Sequence, residues 1–157
     1  MHISKFFMNI ERKFSTDRPF HEIIDQTKKY FLSQGFQLQK EDGFLIEFKR
    51  GSRLLNFITF DPLKWCSVIV VRFATDTAST HITAIFDVST VGHIVMESES
   101  SLWYRFAEEY QKTIEIGSSI DFQNERKKIK NSVWKLMLLL GIGGGIVGAL
   151  MIRIAKL

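Results

Sequence analysis

Residues 136–152 read LMLLLGIGGGIVGALMI, seventeen positions without a charge or a strongly polar side chain. A helix rises 1.5 Å per residue, so about twenty apolar residues cross the roughly 30 Å hydrocarbon layer of a bilayer. Val133 and Trp134 extend the run, interrupted only by Lys135. Lys135 at one end and Arg153 and Lys156 at the other can carry their charges to the headgroups along apolar stems, while Trp134 suits the interface. A transmembrane helix is therefore expected over 133–153.

Within the run, Gly143-Gly144-Gly145-Ile146-Val147-Gly148 fits the pattern GxGxxG. It resembles the flavin-binding fingerprint of amine and hydroxy-acid oxidases, which implies a strand, a phosphate-cradling loop and a helix. That architecture needs a βαβ unit of about thirty residues, with an acidic residue about twenty positions on to hold the ribose. Nine residues follow Gly148 and none is acidic, so the motif lacks its context and no dinucleotide or other cofactor is expected. Glycine has another use in a bilayer helix, where removing side chains lets two backbones approach. Gly141 with Gly145, and Gly144 with Gly148, form two GxxxG pairs on nearby sides, a face for self-association or for another membrane protein. The competing explanation is that glycine is simply common in membrane helices.

Charge is distributed to match. Residues 1–19 hold four Lys/Arg against two acids, residues 20–117 ten against thirteen, and residues 118–157 seven against two. The body is thus mildly acidic, which argues against nucleic-acid binding despite a pI near 9.2. The basic excess lies beside the apolar run, where Lys128 and Lys130 join Arg126, Lys127 and Lys135 ahead of the span. Because these outnumber Arg153 and Lys156 beyond it, the positive-inside rule places the N-terminal body in the cytoplasm. The expectation is a single-pass tail anchor, with 118–132 a basic linker or helical extension. Residues 1–14 contain no apolar core or cleavage site of a secretory signal.

In the first fourteen residues Ile3, Phe6, Phe7, Ile10 and Phe14 repeat at helical spacing, so an amphipathic N-terminal helix is expected over 1–14. It would lie on the membrane or pack on the domain. A soluble α+β domain is expected over 15–117. Ser15, Thr16 and Asp17 precede a helical pattern (Phe20, Ile23, Ile24, Thr27, Tyr30, Phe31) closed by Gly35. The period then changes to two, giving strands around Phe36–Leu38 and Phe44–Phe48 joined at Asp42-Gly43, and further strands over 53–60, 65–74 and 81–89. The short connections require antiparallel pairing, a meander of about five strands. A second helix follows over 97–117, with serines as caps and Leu102, Trp103, Phe106, Tyr110 and Ile114 on one stripe. Both helices are expected on one face of the sheet.

No constellation of catalytic residues stands out. Asp87, Ser89, Thr90, His93 and Glu97 supply a nucleophile, a base and carboxylates by type, but a triad is defined by geometry between distant segments and these lie together in a turn region. His21, His81 and His93 are scattered without the spacing of metal ligands, and Cys66 is the single cysteine. Neither a catalytic nor a metal site is expected. Lys49, Arg50 and Arg53 surround the glycine of a turn and offer an anion contact, although a solvated turn explains them too. The expected function is therefore that of a tail-anchored protein displaying a cytoplasmic domain for protein contact, as a subunit or adaptor of a membrane complex. The alternative is a membrane-tethered module that binds a small ligand or lipid.

Overall fold

The computed structural model describes residues 7–56, 59, 61–92 and 95–117. Its elements run β1 (Phe7–Thr16), α1 (Phe20–Ser33), β2 (Gln37–Asp42), β3 (Leu45–Arg50), α2 (Arg53–Asn56, a single turn), β4 (Ser67–Thr75), β5 (Thr80–Ser89) and α3 (Glu97–Ile116). A 3-10 turn at Pro62–Lys64 precedes β4. This is the expected α+β arrangement: helix, five-stranded antiparallel sheet, helix. Strand order is β1-β5-β4-β3-β2. The last four strands form the meander, while β1 occupies the far edge beside β5, so the β1–α1–β2 connection passes from one edge of the sheet to the other.

The set of strands differs from the sequence expectation at two places. Residues 7–14, expected as the larger part of an N-terminal helix, belong to β1. A spacing of four residues serves both periods: Ile10 and Phe14 lie on one side of a helix and equally on one face of a strand. The tie is broken by pairing, since Ile10 stands opposite Phe86 and Phe14 opposite Ile82 across a continuous ten-residue ladder with β5. A lone helix of that length is marginal in water, whereas the ladder satisfies backbone groups along a whole edge. The second correction is at 53–60, where Arg53–Asn56 is helical rather than a strand. Asn56 explains the break. It is fully buried, and its side-chain amide donates to the Ser89 carbonyl at 2.9 Å while its oxygen accepts from the Cys66 N–H at 2.7 Å.

Strand alternation sends Ile46, Phe48, Ile69, Val71, Phe73, Ile82, Ala84, Phe86 and Val88 to one face, where all are buried. Both helices cover this inner face with aromatic rings. Phe31 of α1 lies 4.8 Å from Phe48 and 4.8 Å from Tyr110, and Phe106 of α3 meets Phe36, Phe86 and Trp103. Two polar contacts lie within the layer: the Tyr110 hydroxyl meets Thr27 Oγ1 at 3.0 Å, and Trp103 Nε1 donates to the Pro62 carbonyl. Burial raises the ionisation of Tyr30 and Tyr110 well above the ordinary phenol value.

Helix ends also depart from expectation. Serines do not cap α3; instead Glu99 in its first turn accepts from the Met96 N–H at 2.9 Å, half of a capping box. At the other end Arg18 donates to the Ile114 carbonyl at 2.8 Å and to Gln26, and Gln26 donates to the Thr113 carbonyl, so the start of α1 is clipped to the end of α3. Among the described residues no helix is long and apolar enough to cross a membrane. The expected linker over 118–132 and span over 133–153 lie outside the described residues.

Candidate functional site

The open face of the sheet carries a cleft of about 330 Å³ at the end where β3 and β5 finish and β1 and β4 begin. Its construction starts at Gly51, whose φ of +71° is one that side chains rarely adopt. A Cβ there would also come within 3.0 Å of the Lys64 carbonyl and 3.2 Å of the Cys66 backbone. Only glycine lets the chain turn this closely against the approach to β4. The turn then delivers Arg53 to the cleft.

Lys49, Arg53, Phe7, Cys66, Asp87 and Ser89 are among the cleft's walls. The Arg53 guanidinium carbon lies 5.7 Å from the centre of the half-exposed Phe7 ring. Asp87 Oδ1 accepts from the Asn9 side-chain amide at 2.6 Å. Ser89 is 3% exposed, and its hydroxyl has no hydrogen-bond partner.

The three basic residues singled out in the sequence are therefore separated. Lys49 and Arg53 share the cleft, but Arg50 alternates to the inner face, donating to the Gln34 carbonyl at 2.8 Å with its guanidinium carbon 4.0 Å from the Phe36 ring centre. Of the expected anion contact, two members come together and the third is a packing element of the core. Phe7 and Ser89 join them from opposite strands, since Phe7 pairs with Ser89 in the β1–β5 register. The alternation of β5 places Asp87 and Ser89 on one side, but only the long-range pairing brings in Phe7 and Asn9.

A second cleft, about 630 Å³, lies along the seam between α1 and α3. Acids and bases alternate there, among them Glu22, Asp25, Arg18, Lys29 and the buried Glu109. Arg18 and Gln26 spend their hydrogen bonds on holding the two helices together. Between sheet and helices the space is occupied by rings.

Of the catalytic-type residues, Asp87 and Ser89 share the cleft and the other described ones do not line it. Asp87 is exposed and bound by Asn9, Thr90 is buried, Glu97 opens α3, and His93 lies outside the described residues. His81 meets Asp76 at 2.8 Å, and Asp76 also accepts from the Ala78 and Ser79 N–H groups. The Ala78 and Ser79 N–H bonds, with the His81 contact, hold the Asp76 carboxyl well below the usual carboxylate range. No group of three His, Cys, Asp or Glu residues among the described residues is placed to hold a metal. The glycine face at Gly141, Gly144, Gly145 and Gly148 lies outside the described residues, as do Lys128, Lys130, Trp134, Lys135, Arg153 and Lys156.

No protein-family model matches the chain, and no curated protein is significantly similar to it.

Proposed function

We propose that the chain is a single-pass, tail-anchored membrane protein that holds its α+β domain in the cytoplasm and acts by protein contact, as a subunit or adaptor of a membrane complex. The observation that carries this reading is the uncharged run 136–152, bordered by basic residues and following an acidic body. Its glycines supply a surface on which a second membrane helix packs closely. The domain adds a supporting argument. Its inner layer is filled by Phe31, Phe48, Phe86, Phe106 and Tyr110, leaving recognition to the exterior. Apolar side chains are displayed there, with Leu54 83% and Phe44 58% exposed.

Alkaline extraction of membranes from cells expressing the full chain tests the anchor. The chain should stay with the membrane pellet, and a chain ending at Gly117 should leave it. Protease added to sealed vesicles should digest the domain from the cytoplasmic side. Recovery of the full chain in the alkaline supernatant would overturn the reading. Replacing Gly145 and Gly148 with isoleucine should abolish co-purification of a membrane partner or of a second copy.

A further inference from the structure

The cleft on the open sheet face is a local reversal of the body's acidic character. Lys49 and Arg53 both line it, and neither makes an ion pair with another described residue. Its one acid, Asp87, is already bound by Asn9. The buried Ser89 hydroxyl is an independent sign of a missing ligand: a polar group that is 3% exposed normally has a partner, and this one has none. Beside these donors Phe7 presents a half-exposed aromatic wall.

We propose that this cleft binds a phosphate monoester bearing an aromatic or apolar body. The phosphoryl oxygens lie between the Lys49 ammonium and the Arg53 guanidinium, with the Ser89 hydroxyl as a third donor, and the organic body rests on Phe7. Two cations and a hydroxyl suit a group with nearly two negative charges and three acceptor oxygens better than they suit a carboxylate. The same chemistry is carried by a soluble aryl phosphate and by the headgroup of phosphatidic acid. The inference does not rest on the membrane anchor and survives its failure.

The test is isothermal titration of phenyl phosphate, and separately of inorganic phosphate, into the full chain in the presence of phosphatidylcholine nanodiscs, whether or not the chain inserts in them. Phenyl phosphate should bind saturably and more tightly than inorganic phosphate. Lys49→Gln and Arg53→Gln should each weaken it about tenfold, the loss of one charge-assisted contact. Lys29→Gln, in the other cleft, should leave it unchanged. Ser89→Ala should weaken binding while raising the Tm of the free protein, because it removes an unpartnered buried hydroxyl; a serine with only a structural role would not show opposite signs. Discs containing phosphatidic acid distinguish the sources, with discs of phosphatidylglycerol, a diester of equal sign, as the charge control. Loss of phenyl phosphate binding in the phosphatidic acid discs alone assigns the cleft to the lipid, and its retention assigns it to a soluble ester. Absence of saturable binding in both phosphatidylcholine and phosphatidic acid discs overturns the proposal, as does binding indifferent to both Lys49→Gln and Arg53→Gln. Equal binding of inorganic phosphate overturns the part assigned to Phe7.

Discussion

On β4, Val71 and Val70 are neighbours in the chain and opposites in surroundings. Val71 is fully buried beneath the helices, while Val70 is half-buried on the open face. The same contrast holds between Ile82, Ala84 and Phe86 on one side of β5 and Thr83, Ile85 and Asp87 on the other. The inner face is set by interlocking rings that leave little room for substitution. The outer face holds its strands by the ladder and can vary its side chains, so the part of the domain free to recognise something is the part with least influence on the fold.

The largest break in this contrast would come at Phe106, which is fully buried and contacts rings from both helices and the sheet. Phe106→Ala should cost about 3–5 kcal/mol in urea unfolding, through lost burial and the cavity left behind. A cost below about 1 kcal/mol would mean that the inner layer repacks freely. The sharpest comparison is the pair of valines. Val71→Thr places a hydroxyl under the helices and should cost about 1–3 kcal/mol, whereas Val70→Thr should stay within about 0.5 kcal/mol. Equal costs would erase the distinction between the faces.

The smallest effect belongs to the exposed Asp76 turn, which joins β4 to β5. Its folded pKa is depressed, so its contribution is present above the ordinary carboxylate range and is lost as pH falls through that range toward the folded value. Asp76→Asn retains the oxygen that accepts from Ala78 and Ser79 but loses the charge. The stability difference between wild type and this variant should therefore be present at neutral pH and shrink below about pH 4, as read from thermal melts across pH. A difference independent of pH would show that the charge is unimportant.

What the sequence made legible follows the range of the interaction involved. α1 was readable because Ile23, Thr27, Tyr30 and Phe31 lie on one stripe and all are buried, and the β2–β3 hairpin because Asp42-Gly43 marks its turn locally. β1 is ambiguous in the sequence because its apolar spacing fits two periods and only β5, far along the chain, chooses between them. RLLN at 53–56 carries no local sign that Asn56 will bridge Cys66 and Ser89. The cleft shows the same division. Lys49 and Arg53 could be picked out by charge beside a glycine, but that Arg50 turns inward follows from strand alternation combined with the position of Phe36. Phe7 and Ser89 enter only through tertiary pairing.

The placement of β1 also governs how the domain forms. Asn9 and Asp87, joined across the β1–β5 ladder, are 78 residues apart in sequence. Closing that loop costs entropy before any pairing is gained, and such non-local contacts slow folding relative to the meander of neighbours beside it. During synthesis the first strand to emerge must wait for the last before it has an edge to join. Until then β4 keeps an unpaired edge of its own, and the growing chain is exposed to pairing with other molecules for as long as that wait lasts.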